Sequence, residues 1–306
     1  MPASSHRRSF ATDPGLCDRV FALLDTWIPT LSSARRQAER LRWRWEDVST
    51  PFVHERDGQV VAHVGVLESR LCCMGRERLV GGIHAVCTLE RLRRRGLYRA
   101  LMEEALAHCD ARYETVKLST ENPELYVPFG FRVIPEYRFT AEVPVPRGPT
   151  NARGPTDARS FRPLDTSGAQ DLDHLDRLVR ERTPPSRALS ALDVDVFKFN
   201  AAQFDGAALQ YCAALDLLAV MRRDGETLEI FELAAASYPD LATLLVHVEP
   251  RPARVVLYFR PDVLGIEAQA EPYRFDGDVL MVRGPLPLLA DDGDLPEAML
   301  SPLSRH

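Results

Sequence analysis

Three consecutive arginines, Arg93, Arg94 and Arg95, stand directly before Gly96, and an apolar-periodic segment starts at the next residue. Leu97, Leu101, Ala105 and Cys109 recur every four residues, which predicts a helix with one buried face. The N-terminus of a helix presents amides without intrahelical acceptors and a partial positive charge. A glycine there admits close approach, and arginines add full charges. The run that ends at Thr88 reads as a strand, so the order is strand, basic glycine loop, helix. That order suits a pyrophosphate. An arginine run in isolation reads as a solvated loop; its setting decides for anion binding. Neither GxxxxGKS/T nor GxGxxG occurs, which sets aside the P-loop and the dinucleotide turn.

A second candidate follows the helix. The segment YETVKLSTENPELYVPFGF gives a strand over Thr115 to Ser119, a short helical turn, and Tyr126, Gly130 and Phe131 at fixed spacing. Tyr126 is the candidate general acid; the other reading is a core tyrosine with a satisfied hydroxyl. His84 lies two residues before Val86, and strand alternation puts both on one face. Its imidazole suits proton removal from an ammonium, and its other reading is a hydrogen-bonded core residue. Glu121 and Glu46 are further candidates for the base by position. Alternation points Cys87 away from His84, so it reads as a small buried residue rather than a nucleophile. Trp43, Trp45 and Phe52 either line an acceptor pocket or pack the core.

The elements that must position these residues occur twice. RRSFATDPGLCDRVFALLD and RSFRPLDTSGAQDLDHLDRLV both read as an extended run, a polar turn and an apolar-periodic helix. In the first half a helical stretch from Arg35 to Trp45 precedes two strands joined at Asp57-Gly58, then a strand from Arg78 to Thr88. In the second half two strands meet at Asp224-Gly225. A helix over Pro239 to Val248, a buried strand over Ala253 to Phe259 and a hairpin at Asp276-Gly277 follow. Val143 to Ser160, with four prolines and two glycines, reads as a linker. The expected division is residues 1–145, a linker at 146–160, and residues 161–306. The fold class is α/β (α+β), each unit a mixed, mostly antiparallel sheet flanked by helices.

These motifs resemble the GNAT superfamily of acetyl-CoA-dependent N-acetyltransferases. The family's pattern Q/R-x-x-G-x-G/A is matched by Arg93-Arg94-Arg95-Gly96-Leu97-Tyr98, with Tyr98 where a small residue is usual. The ending Tyr126-x-x-x-Gly130-Phe131 matches the family's second motif. The resemblance implies that Val86, Cys87 and Thr88 meet the pantetheine arm of acetyl-CoA. It implies that Arg93, Arg94, Arg95, Gly96, Leu97, Tyr98 and Arg99 surround the pyrophosphate, with Asn122 also on the cofactor, and that Tyr126 protonates the departing thiolate. The tandem layout is similar to the enhanced-intracellular-survival type, whose third, sterol-carrier-like domain is expected to be missing here. No role is carried over to His306. ELAAASYPDLATLLVHV, at the second unit's phosphate-loop position, contains no Arg and no Gly, which predicts a degenerate unit and one acetyl-CoA per chain.

Composition narrows the remaining classes. With 306 residues, 45% hydrophobic and 27% charged, the chain suits two globular domains. Residues 1–145 carry net +2 and residues 146–306 net −8. The acidic half favours a cationic amine, small molecule or peptide, as acceptor. Net charge −6 and a basic cluster without an aromatic face argue against nucleic acid. Six scattered cysteines without a CxxC pair predict reduced thiols and no metal site. No apolar run is long enough for a membrane span or a signal core, so the expectation is cytoplasmic. A homo-oligomer through an exposed strand edge is compatible with the sequence. The reading from another class is a non-catalytic acyl-CoA-binding protein.

Overall fold

The computed structural model describes residues 6–144, 160–204, 209–289 and 296–305. The N-terminal part supplies helices α1 (Leu16–Leu24), α2 (Leu31–Arg40) and α3 (Trp45–Val48), then strands β1 (Thr50–Arg56), β2 (Gln59–Cys73) and β3 (Arg76–Thr88). Helix α4 (Leu97–Asp110) and strands β4 (Val116–Thr120), β5 (Arg132–Ile134) and β6 (Tyr137–Glu142) follow. Beyond residue 160 come β7 (Arg162–Pro163), α5 (Ala169–Glu181), β8 (Leu189–Ala191), α6 (Val194–Ala201), β9 (Leu209–Cys212), β10 (Leu217–Asp224) and β11 (Thr227–Ala234). The last elements are α7 (Leu241–Leu245), β12 (Arg254–Leu257), β13 (Gln269–Pro272) and β14 (Val279–Arg283).

The strands form two mixed sheets of seven. One has the order β1-β2-β3-β4-β14-β5, with β8 also on β2; the other runs β13-β6-β12-β11-β10-β9-β7. Asp57 and Gly58 both take positive φ, 53° and 75°, as a tight β1–β2 hairpin requires. The helix expected over Arg35 to Trp45 instead starts at Leu31 and stops at Arg40, where Arg42 takes φ 57°.

Sheets and chain segments do not coincide. β6, from the first segment, pairs with β12 and β13, while β14, from the second, lies between β4 and β5. The hairpin expected at Asp276-Gly277 is absent: β13 and β14 belong to different sheets, and those two residues, at φ 51° and 86°, turn the chain from one to the other. The linker expected at 146–160 lies, apart from Ser160, outside the described residues.

Helices cover both faces of each sheet. One face of the first sheet packs on α4 through Val64, Val66, Ile83, Leu118 and Met281. The other face meets α1 and α2 through Val53, Val60 and Cys87. In the second sheet α5 and α6 cover one face, with Leu175, Phe197 and Phe231, and α7 covers the other, with Leu244, Ile230 and Leu257. Residues 296–305 run between the units. Glu136 accepts from Leu280 N, Leu300 N and Arg305 Nη2, the last at 2.7 Å, and Lys117 Nζ donates to Ser304 O at 3.1 Å. The side chains of Glu136, Arg305 and Lys117 are all buried, so the partners are required to offset desolvation.

Candidate active site

The site begins where two parallel strands part. β3 and β4 pair only at Gly81↔Val116 and Gly82↔Lys117, although β3 continues to Thr88 and β4 to Thr120. A bulge in β3 marks the divergence. His63 pairs with Cys87 and Gly65 with His84, so Ala85 and Val86 together face Val64 alone, and Ala85 takes φ 51°. Beyond the bulge Leu89 N donates to Val61 O on the β2 side. Alternation turns the backbone of Thr88 and Val86 the other way, into the gap beside β4.

At the end of β3 the basic loop makes one 3-10 turn, Glu90–Leu92, pinned by buried Leu92. Arg94 and Gly96 then take φ 61° and 82°, and α4 starts at Leu97 with no side chain capping its first turn. A Cβ on Gly96 meets nothing within 4 Å, so backbone conformation rather than crowding calls for glycine here. The first amides of α4, with the exposed Arg94 and Arg95 beside them, form an anion-attracting rim. Arg93 is used differently. Its Nε donates to Thr88 O at 3.2 Å and its guanidinium lies 5.2 Å from the Trp27 ring centre, so the side chain braces the loop against β3. Arg99 lies 3.9 Å from Glu103 and over Phe129.

Tyr98 explains its own departure from the motif. Its ring turns away from the loop onto Tyr126 and Phe129, and its hydroxyl donates to Leu125 O at 3.0 Å. Only its amide remains at the helix start. It thereby ties α4 to the two 3-10 turns, Pro123–Leu125 and Val127–Phe129, that carry Tyr126. Asn122 is exposed and donates its amide to Thr120 Oγ1. Tyr126 is 7% exposed between Tyr98 and Phe131; burial pushes its phenol up to about 12, with a Thr120 hydrogen bond acting against that rise. The hydroxyl keeps its proton at neutral pH.

The bulge overturns the alternation argument for residues 84 to 87. Val86 packs with the α4-side cluster, whereas His84 lies against Trp45 and Cys87 joins the α1–α2 cluster. His84 and Cys87 therefore share a face, and His84 does not share one with Val86; one inserted residue inverts every assignment beyond it. The His84 ring is buried, lies within 3.0 Å of Ser49 Oγ at Nε2, and has its pKa pushed down to about 3 by burial and by nearby His63. Such an imidazole holds a proton poorly, so the geometry makes His84 a wall of the site rather than its base. Gly65 accommodates it: a Cβ there would stand 2.5 Å from His84 Nε2. Glu46 is engaged by Arg35 at 2.9 Å, and Glu121 is exposed.

Trp45 meets Phe21 and Trp43 edge-on, and both tryptophans pack against Phe199 of α6, from the second half of the chain. Phe52 does not join them; it packs on the α4 face against His108. Residues that sequence reasoning missed are His63, Ser49, Thr120, Trp27 and Phe199. Nothing local marks the first four, and Phe199 reaches the site only through tertiary packing.

The second unit has the same parallel pairing, β11 with β12 from Thr227↔Arg254 to Ile230↔Leu257. At its helix start, however, the Asp240 carboxylate accepts from Thr243 N at 2.7 Å. A carboxylate thus holds the position that a phosphate would need, and it repels one. Among the described residues no group of three or more His, Cys, Asp or Glu could hold a metal ion, and no helix is long and apolar enough to cross a membrane.

Residues 16–134 match the acetyltransferase (GNAT) domain family, a span that includes the parted strands, the basic loop and Tyr126. The fold is similar to that of a probable N-acyltransferase of unknown function from Enterococcus faecalis. The two share 13% identity, the match covers 91% of this chain and 71% of that one, and the TM-score is 0.58. It is likewise similar to Eis1 from Mycobacterium abscessus, at 13% identity, 89% and 71% coverage and a TM-score of 0.54. No curated protein matches the chain. The first unit is a GNAT-type acetyltransferase domain, and the whole is a tandem GNAT-like fold. Residues 16–134 are thus an acetyltransferase-type domain, which makes acyl transfer the chemistry of that segment.

Proposed function

We propose that the chain transfers an acetyl group from acetyl-CoA to a primary amine, of a small molecule or a peptide, at one site per chain. The observation that carries this reading is the coincidence of the parted β3 and β4 strands, the uncapped start of α4 beneath Arg94 and Gly96, and buried, protonated Tyr126. In this reading the rim from Arg94 to Arg99 holds the pyrophosphate, and the backbone of Val86 and Thr88 holds the pantetheine arm. The Val86 amide polarises the thioester carbonyl as the amine attacks. The C–N bond forms, the C–S bond breaks, and Tyr126 hydrogen-bonds the departing thiolate. Its raised pKa makes it a donor to developing charge more than a full acid. The amine sheds its proton to water, since His84 is too weak a base. Six free, buried cysteines support a reducing, cytoplasmic setting.

Titration calorimetry with acetyl-CoA tests the reading. The expected result is about one equivalent bound per chain, lost in Arg94→Ala/Gly96→Asp, whereas Tyr126→Phe keeps binding and loses turnover by about tenfold or more. No binding by the intact protein would remove the reading. The absence of a competent base at His84 favours a second one, a non-catalytic acyl-CoA-binding protein. Thiol release across a panel of amines separates the two: the second reading predicts binding without release.

A further inference from the structure

We infer that His63 is a positioning residue that holds the β3 bulge in shape and thereby aims the Val86 amide into the gap between β3 and β4. The inference rests on the acyl-CoA reading of that gap.

Ala85 is the unusual residue at the bulge, since a side-chain-bearing residue at φ 51° costs on the order of 1 kcal/mol or more without compensation. Compensation is visible. His63 Nδ1 lies 2.7 Å from Ala85 O, and because a carbonyl only accepts, Nδ1 carries the hydrogen. The ring is fully buried, its pKa is pushed down to about 4, and its Nε2 has no partner among the described residues. A neutral histidine with one nitrogen left without a partner is costly to bury. The bond it does make goes to the bulge carbonyl, and no other side chain among the described residues is recorded on that oxygen.

The bulge is also where alternation is reset. With the extra residue, Val86 faces α4 and its amide turns from β2; without it, residues 85 to 88 slip by one position and every one of them exchanges faces. Thr88 O, which receives Arg93 Nε, lies on the same short segment, so a slip would move the phosphate loop's brace as well. One hydrogen bond thus aligns both ends of the cofactor groove.

Four proteins test this: wild type, His63→Leu, His63→Asn, and His63→Leu/Ala85→Gly. Asparagine restores a donor near the Nδ1 position, and glycine adopts positive φ without help from the histidine. His63→Leu is expected to lose about tenfold or more in kcat/KM for acetyl-CoA, and backbone chemical shifts should show Ala85 leaving positive φ. His63→Asn and the double variant are expected to recover most of the activity. A merely structural role would not predict rescue by Ala85→Gly. The inference is overturned if His63→Leu folds with Ala85 still at positive φ and kcat/KM unchanged, or if neither rescue variant recovers. If wild type binds acetyl-CoA in that experiment, the functional reading survives the loss. If wild type binds none, the reading falls and this inference with it.

Discussion

Burial decides what the imidazoles of β2 and β3 can do. His63 and His84 have pKa values pushed down to about 4 and about 3 from an ordinary 6.5, so the unfolded chain binds more protons than the folded one below pH 6.5. Their contribution to stability is complete above pH 6.5 and is lost as the pH falls through 4 and then 3. Buried Glu232 and half-buried Asp278, raised to about 7 and about 6 by desolvation, act in the opposite sense. The test is therefore a difference. Between pH 4 and 6, the urea-unfolding stability of His84→Gln is expected to fall less steeply on acidification than that of wild type, by about 1.4 kcal/mol per pH unit. Equal slopes would mean that the imidazole is solvated. At this scale the sequence was informative only where spacing itself encodes geometry. The positions of Arg94, Gly96 and Tyr126 in the fold are legible, because a helix start and a short turn are local features. The surroundings of His84 are not, because its lowered pKa follows from burial and from His63, and burial is made by residues scattered along the chain.

Single backbone conformations control the elements. One positive φ, at Ala85, inverts the expected faces of residues beyond it, and alanine gives no hint of it in the sequence. Glycines were more readable as turns, yet they are not equivalent. Gly284, at φ 91°, follows β14, and a Cβ there would stand 2.1 Å from Glu114 O; Gly277, at φ 86°, has nothing within 4 Å. Gly284→Ala is expected to cost on the order of 3 kcal/mol or more, because backbone must move, while Gly277→Ala costs about 1–2 kcal/mol through conformation alone. Urea-unfolding midpoints of the two variants measure the contrast. Similar losses would show that the β14 exit relaxes freely. The Asp57-Gly58 hairpin was legible because its turn is local. The Asp276-Gly277 hairpin failed because the same dipeptide served a crossover, and a crossover is defined by partners more than a hundred residues away.

For the whole molecule, the repeat of elements was visible in the sequence and the exchange of strands was not. Strand exchange has no local signature: β6 reads as a half-buried strand and β14 as a short buried one, and only the register shows which sheet each completes. Because each sheet depends on a strand from the other segment, the two segments are expected to unfold together. Calorimetry of the intact chain should give one transition. Residues 1–145 expressed alone should not fold cooperatively, and co-expression with 146–306 should recover acetyl-CoA binding. Two separate transitions, or a folded isolated 1–145, would contradict this.

The exchange also sets a schedule for synthesis. The gap between β3 and β4, the basic loop and Tyr126 all lie within the first 134 residues, yet β4 and β5 have no strand between them until Val279–Arg283 leaves the ribosome. At about 5–20 residues per second, that wait is on the order of ten to thirty seconds, with two apolar strand edges unpaired throughout. A nascent chain of this protein is exposed to chaperones for about half of its translation, and a ribosome stalled between β5 and β14 leaves every residue of the candidate site on an incomplete sheet.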